Sequence, residues 1–180
     1  RIEPSPELTG LASGRPLRDF RADVETRVAR ELPGTDVFLT IANVRQISQA
    51  VADYVNKNHT GSDSPEIVVG YDTRFLSDRF AMETARVMAA NRIVTWLTRT
   101  DSPTPVISYN VKQMGATAGI VITASHNPPR YNGFKLKASY GGSATPEQCA
   151  LVEQELQRLE AEARCPNVMD YQEALDTGMI

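Results

Sequence analysis

Cysteine is scarce in this chain. Cys149 and Cys165 are the only two cysteines among 180 residues. Two cysteines cannot build the disulfide framework of a small secreted domain, and by themselves they cannot complete a structural zinc site, which takes four ligands. We therefore expect a reducing, cytoplasmic setting.

Long apolar runs and an excess of one charge are also missing. No apolar stretch approaches the roughly 18–20 residues that span a bilayer, and the first residues, Arg-Ile-Glu-Pro, contain no apolar signal-peptide core. A net charge of −3 gives no general attraction to nucleic acid or to an anionic membrane surface. We expect neither as a partner.

The composition that is present is typical of one globular domain. Hydrophobic residues make up 41% of the chain and charged residues 23%, which is ordinary for such a domain. A chain of 180 residues can bury one good core, and we do not expect a second complete domain.

Strand and helix patterns alternate along the chain. Short apolar or β-branched runs predict buried strands, and apolar residues at helical spacing predict the helices between them. This alternation predicts an α/β fold: a three-layer α/β/α domain with a mixed, mostly parallel sheet. The predicted strands are 67–69, 93–97, 118–123 and 134–138.

Helix starts and domain boundaries complete this outline. Ser77, Thr104 and Thr145 are candidate N-caps, Thr145 with a capping box. A lead-in and helix are expected over 1–34, with apolar helical spacing at 17–32, and a second amphipathic helix begins at Ile41. The main domain is expected over 35–168, and 169–180 begin a linker to a second domain.

The most informative stretch runs from Thr123 to Lys135 and reads Thr-Ala-Ser-His-Asn-Pro-Pro-Arg-Tyr-Asn-Gly-Phe-Lys. It places Ser125, His126 and Lys135 on a loop after a predicted buried strand, where α/β domains commonly carry their chemistry. A serine hydroxyl is a weak nucleophile unless a base takes its proton or it is already modified.

Two explanations of the serine follow from the residues alone. A Ser-His-Asp hydrolase needs a buried carboxylate behind the histidine. Asp72 can supply one only if its strand is a neighbour of the strand before the serine loop. The Gly-x-Ser-x-Gly elbow of the common α/β-hydrolases is missing. The Gly-x-x-x-x-Gly-Lys phosphate loop is missing too. A phosphorylated serine instead needs a cation, donors and an acid or base nearby, and a turn at Asn132-Gly133 can fold Lys135 back towards Ser125.

The stretch from Thr123 to Lys135 resembles the active-site serine loop of the α-D-phosphohexomutase family (phosphoglucomutase/phosphomannomutase). The resemblance covers about residues 35–180 and corresponds to the N-terminal domain 1 of that family. Three further features agree: Gly70-Tyr71-Asp72-Thr73-Arg74 is similar to its Gly-x-Asp-x-Arg turn, Thr104-Pro105 to its Thr-Pro helix start, and Tyr140-Gly141-Gly142 to the stretch after its loop.

The resemblance implies specific roles. Ser125 would carry a phosphoryl group, pass it to a hexose phosphate and take a phosphate back from the bisphosphorylated intermediate, so that hexose 1-phosphate and 6-phosphate interconvert. Lys135 matches the general acid/base, and His126 a residue that assists proton transfer and phosphate contacts. Asn127 would support the phosphate or the loop, and Arg74 would hold the Asp72 turn near the loop.

The resemblance also implies a cofactor and partners. One oxygen of a Ser125 phosphate would complete a Mg²⁺ site whose three aspartates come from an Asp-Gly-Asp-x-Asp loop in the family's second domain. No Asp-x-Asp occurs here. We therefore expect a hexose phosphate substrate, a hexose 1,6-bisphosphate activator or intermediate, and the remaining domains of the same enzyme as partners; the isolated domain should be inactive.

One departure from the family pattern leaves alternatives open. The family opens domain 1 with a Gly-x-Arg-Gly piece, whereas Gly34-Thr35 is followed here by Asp36-Val37-Phe38. Either the piece is deleted or the sequence omits a stretch; we favour omission, because losing a phosphate-facing arginine should impair catalysis. The alternatives are a phosphoglucosamine mutase, whose loop usually departs from Pro-Pro-x-Tyr-Asn-Gly, and a non-catalytic relative that binds partners or sugar phosphates.

Overall fold

The structure, a computed structural model, describes residues 39–129 and 131–180. The predicted helix at 17–32 and the departure after Thr35 lie outside these residues. The described elements follow in the order α1 (Ile41–Asn58), β1 (Glu66–Tyr71), α2 (Ser77–Ala90), β2 (Val94–Leu97), α3 (Thr104–Met114), β3 (Ala118–Ile122), β4 (Phe134–Ala138), α4 (Pro146–Ala161) and α5 (Tyr171–Asp176).

The four strands form one sheet in the order β2-β1-β3-β4. β1 runs parallel to β2 and to β3, and β4 runs antiparallel to β3. The predicted mixed, mostly parallel sheet is therefore confirmed. All five residues of β3 are buried, as expected of a strand that lies between two neighbours and is covered on both faces.

Alternate residues of the strands pack on opposite faces of the sheet. Ile67 and Ile120 belong to the larger core cluster, which α1 and α2 cover. Val68 and Val121 pack instead with Ile107 and Val111 of α3. Helices thus lie on both sides of the sheet, and the predicted three-layer α/β/α architecture is confirmed.

Helix starts show where the sequence prediction was correct and where it was wrong. Thr145 forms the predicted capping box with Gln148. Ser77 and Thr104 are the first residues of their helices, and Leu76 and Pro103 occupy the cap positions without a side-chain cap bond. The predicted N-caps at Ser77 and Thr104 were wrong by one residue; the Ser77 hydroxyl bonds elsewhere, as described below.

The C-terminal residues lie against the domain. The backbone N–H of Met169 donates to the carbonyl of Arg86 at 3.2 Å, and Arg86 Nε donates back to the Met169 carbonyl at 2.8 Å. Further on, the N–H of Thr95 in β2 donates to the Met179 carbonyl at 2.8 Å. The assignment of 169–180 as the start of a linker stays a prediction.

Within residues 39–129 and 131–180, no helix has both the length and the apolar character needed to cross a bilayer.

Candidate functional site

The site lies where β1 and β3 end side by side. These two strands are parallel neighbours, so the turn after β1 and the loop after β3 leave the same edge of the sheet. The backbone N–H of Asp72 donates to the Ile122 carbonyl at 3.1 Å and continues their pairing. Crevices at the carboxyl ends of parallel strands are the usual ligand sites of open α/β sheets.

The serine loop, residues 124–132, connects the paired strands β3 and β4. Its base is fixed by Thr123, whose N–H donates to the Gly133 carbonyl at 2.9 Å. A Cβ at Gly133 would lie only 2.8 Å from the Thr123 carbonyl oxygen, so this crossing requires glycine. Tyr131 is buried, and its N–H donates to the Pro128 carbonyl at 3.0 Å.

The Asp72 network consists of Asp72, Arg74, Ser77 and Thr123. The Asp72 carboxylate accepts from the Thr123 hydroxyl at 2.6 Å, the Ser77 hydroxyl at 2.9 Å, the Arg74 N–H at 3.1 Å and Arg74 Nε at 3.0 Å. These four bonds occupy the roughly four acceptor sites of a carboxylate. The network joins the turn after β1 to the first residue after β3.

The pKa of Asp72 reflects this network. Partial burial raises the pKa of the carboxyl, but hydrogen bonds from Thr123, the Arg74 backbone and Ser77, together with the Arg74 charge, outweigh burial and hold the pKa below its ordinary value. Asp72 is therefore ionised at neutral pH and can act only as an acceptor.

Arg74 binds the serine loop with its whole guanidinium group. A guanidinium has five N–H donors, and the Nε–H donates to Asp72. The other four donate to loop carbonyls: Nη1 to Pro128 (2.8 Å) and Tyr131 (3.1 Å), and Nη2 to Ser125 (2.8 Å) and Asn127 (2.8 Å). All five donors are thus engaged by the protein, which favours loop support for Arg74 over direct contact with a phosphate.

Ser125 has an unusual backbone conformation. Its φ of 59° lies in the left-handed region, which costs an L-residue about 1–2 kcal/mol. Its N–H donates to the Thr123 hydroxyl at 3.0 Å, and its carbonyl accepts from Arg74. The residue is exposed, so its backbone is held on both sides while its hydroxyl faces the solvent.

His126 lies closer to Ser125 than expected. An extended loop would point neighbouring side chains apart, but the left-handed serine leaves the hydroxyl 3.4 Å from His126 Nδ1. This is a long contact, near the limit of a hydrogen bond. Among the described residues no carboxylate is bonded to His126, and Asp72 is already saturated, so the geometry does not build a Ser-His-Asp triad.

A shallow cleft of about 420 Å³ is lined by four of the five predicted site residues, all except Arg74. Lys135 lies opposite Val121 in the pairing of β4 with β3 and is exposed on the cleft wall. Leu39 and Ile47 close the apolar side. Its polar wall contains Ser125, His126, Asn127 and Lys135.

Sequence reasoning missed three supporting residues. Asn132 donates from Nδ2 to the Ser77 hydroxyl at 2.7 Å and accepts at Oδ1 from the Gly133 N–H at 2.9 Å. Ser77 and Thr123 were predicted as a cap and a strand end, not as partners of Asp72. The available sequence signal was a cluster of short polar residues beside the Asp-x-Arg turn and the serine.

A metal ion is not held by the described residues alone. Among residues 39–129 and 131–180, no three or more His, Cys, Asp or Glu side chains are grouped so that they could hold a metal ion. Asp72, the carboxylate bonded to the residues around Ser125, has its acceptor sites filled by protein donors. The residues in the described part therefore do not fit a complete Mg²⁺ site.

The sequence is similar to proteins of one family. The sequence model of "Phosphoglucomutase/phosphomannomutase, alpha/beta/alpha domain I" matches residues 22–163. A phosphoglucomutase of Staphylococcus saprophyticus is 40% identical over 109 residues, 61% of this chain and 19% of that protein. A protein of Haemophilus influenzae named probable phosphomannomutase is 43% identical over 103 residues, 55% of this chain and 20% of that protein. The chain thus spans about a fifth of the length of these curated relatives.

Solved structures agree with this comparison. A protein of Thermus thermophilus, provisionally described as a phosphomannomutase, superposes with a TM-score of 0.62 at 32% identity, covering 66% of this chain and 26% of that one. A phosphoglucomutase/phosphomannomutase family protein of Burkholderia thailandensis gives a TM-score of 0.53 at 28% identity, covering 73% and 28%.

The Arg74 contacts predict a measurable loss of stability. Arg74→Lys keeps the charge but cannot reproduce five N–H donors in a planar fork. We expect it to lower the free energy of unfolding by about 1–3 kcal/mol, measured in urea. Arg79→Lys, at an exposed arginine on α2, is the control and should change stability by less than about 0.5 kcal/mol. Equal effects of the two variants would contradict a role for Arg74 in holding the loop.

Proposed function

Because the chain belongs to the phosphoglucomutase/phosphomannomutase family, of which it matches domain I, we propose that it is the serine-bearing domain of a phosphohexomutase. The reaction is the interconversion of hexose 1-phosphate and hexose 6-phosphate, an intramolecular phosphoryl transfer. The observation that supports this most strongly is Ser125 itself: an exposed hydroxyl on a loop whose backbone is fixed by Arg74 and Thr123.

The proposed chemistry begins with a phosphoryl group on the Ser125 hydroxyl oxygen. A hydroxyl of the bound hexose phosphate attacks the phosphorus, and its proton passes to a base. The bond from phosphorus to the serine oxygen breaks, and the released serine oxygen takes up a proton to become a hydroxyl. The bisphosphorylated sugar then reorients. The serine hydroxyl loses its proton to a base and attacks the other phosphate, the bond from that phosphorus to the sugar oxygen breaks, and the released sugar oxygen takes up a proton. Such transfer depends chiefly on positioning and electrostatics.

Lys135 and His126 are the proposed proton-handling groups. Both lie on the wall of the cleft that contains Ser125, and His126 Nδ1 is 3.4 Å from the serine oxygen. We assign Lys135 the exchange of the proton with the sugar hydroxyl. His126 and Asn127 assist at the phosphate, and Arg74 contributes its charge while its N–H groups hold the loop.

The rest of the reaction requires groups outside this chain. We propose that a longer protein supplies the residues that select the sugar and most ligands of a Mg²⁺ ion, with one oxygen of the Ser125 phosphate as a further ligand. Mg²⁺ would neutralise charge on the transferred phosphoryl group. A hexose 1,6-bisphosphate would load the serine, and the isolated domain would not turn over. A cytoplasmic setting stays a prediction.

The first prediction from this proposal concerns Ser125. In the full-length protein, Ser125→Ala should abolish turnover while the protein stays folded, because the phosphoryl carrier is gone. Intact mass should show one phosphoryl group on the native protein and none on the variant. Ser139→Ala, at a serine after β4 and away from the cleft, is the matched control and should keep both. Full activity of Ser125→Ala would refute Ser125 as the phosphoryl carrier, whereas an unphosphorylated native protein without mutase activity would favour a non-catalytic relative.

The second prediction concerns Lys135. Lys135→Ala should lower kcat by about 10²–10⁴-fold, the usual contribution of a general acid or base, with a much smaller change in KM. Lys112→Ala, at an exposed lysine on α3, should leave both constants unchanged. A rise in KM with normal kcat would instead assign Lys135 to substrate binding.

A further inference from the structure

We propose that Thr123, held by the Asp72 carboxylate, is a positioning residue for the reaction at Ser125 and acts through the Ser125 backbone N–H; this inference rests on the proposed function. Thr123 follows β3 directly and is buried, with 5% of its surface exposed. Its hydroxyl lies between the two groups that define the site, the ionised Asp72 and the backbone of Ser125. Thr123 therefore acts on the serine through the backbone and not as a reacting group.

The direction of both hydrogen bonds is fixed by charge. An ionised carboxylate can only accept, so the single hydroxyl hydrogen of Thr123 points to Asp72 Oδ2 at 2.6 Å. The lone pairs of the same oxygen are then free to accept the Ser125 N–H at 3.0 Å. A chain of aligned hydrogen bonds therefore runs from Ser125 through Thr123 to Asp72, and the negative charge at its end strengthens each link.

These hydrogen bonds restrain the backbone torsion φ of Ser125, which determines where its side chain points. Ser125 has a φ of 59°, and a serine keeps such a value only when the surrounding structure holds it there. Thr123 holds the N–H on one side of the residue, and Arg74 Nη2 holds the carbonyl on the other at 2.8 Å. Without the Thr123 hydroxyl, the Ser125 N–H loses its partner and the residue can relax towards ordinary backbone conformations, which turns its hydroxyl away from the cleft.

The Thr123 hydroxyl is not needed to pair the strands. The backbone N–H of Thr123 donates to the Gly133 carbonyl at 2.9 Å, and its neighbour Ile122 pairs with Phe134 in the β3–β4 ladder. These backbone bonds persist whatever the side chain. Removing the hydroxyl should therefore affect the orientation of Ser125 more than the fold.

The test compares three variants of the full-length protein. Thr123→Val keeps the shape but lacks the hydroxyl, Thr123→Ser keeps the hydroxyl, and Thr84→Val is the control. Thr84 is a fully buried threonine of α2. Its hydroxyl accepts a hydrogen bond from the Ser48 hydroxyl of α1 at 3.2 Å. The measured quantities are kcat, KM and the melting temperature.

We expect Thr123→Val to lower kcat by about 100-fold, the scale of a 1 Å misplacement of a reacting group, with KM unchanged. Thr123→Ser should restore most of the rate. Thr84→Val should lower the melting temperature by a similar amount to Thr123→Val with normal kcat. If Thr123→Val does not fold, Thr123→Ala takes its place, with the same expected loss of rate.

Two results would overturn the positioning role. One is normal kcat in Thr123→Val; the other is a Thr123→Ser variant as slow as Thr123→Val, which would show that keeping the hydroxyl does not preserve the rate. Ser125→Ala separates this failure from that of the proposed function. An active Ser125→Ala would refute Ser125 as the phosphoryl carrier. An inactive Ser125→Ala together with a normal Thr123→Val would refute only the positioning role of Thr123.

Discussion

The ionised carboxylate of Asp72 is the interaction on which the rest of the site depends. It accepts four hydrogen bonds from three residues, and those residues connect the turn after β1, the start of α2 and the end of β3. Because Asp72 aligns the Arg74 guanidinium through Nε, it also determines where the four donors that hold the serine loop are placed. One carboxylate thus organises two separate loops.

This arrangement separates the support of the loop from its chemistry. The donors of Arg74 and the acceptor sites of Asp72 are consumed within the protein, whereas Ser125, His126 and Lys135 remain exposed at the cleft. A phosphorylated serine would add roughly −1.5 to −2 charges at neutral pH. The fixed guanidinium beside the Ser125 carbonyl would compensate part of that charge without changing its own contacts.

Much of the fold could be predicted from local patterns. The run from Ala118 to Ile122 indicated a buried strand because it is continuously apolar, and the capping box at Thr145 gave the start of α4 correctly. The caps at Ser77 and Thr104 were each wrong by one residue. For Ser77 the competing interaction is long-range: its hydroxyl bonds Asp72 and Asn132 rather than its own helix.

The proposed reacting residues were predictable from the sequence, but the supporting residues and the geometry were not. The motif from Thr123 to Lys135 indicated the residues that we propose for the chemistry, yet the left-handed Ser125 is held by Arg74, 51 positions earlier in the chain. An extended loop would separate the side chains of Ser125 and His126, whereas the structure places the serine hydroxyl 3.4 Å from His126 Nδ1. Sequence spacing cannot give such geometry, because it depends on the pairing of β1 with β3.

A titration of the Asp72 carboxyl carbon by NMR tests the central claim most directly. Since its folded pKa lies below the ordinary value of 3.8, the stability that Asp72 contributes is present above the unfolded pKa and is lost as the pH falls through the folded one. We predict a midpoint below 3.8, with the amide resonances of Ser125 and Tyr131 shifting at the same pH as the loop is released. An ordinary or raised midpoint, or loop amides that do not respond to it, would contradict the account.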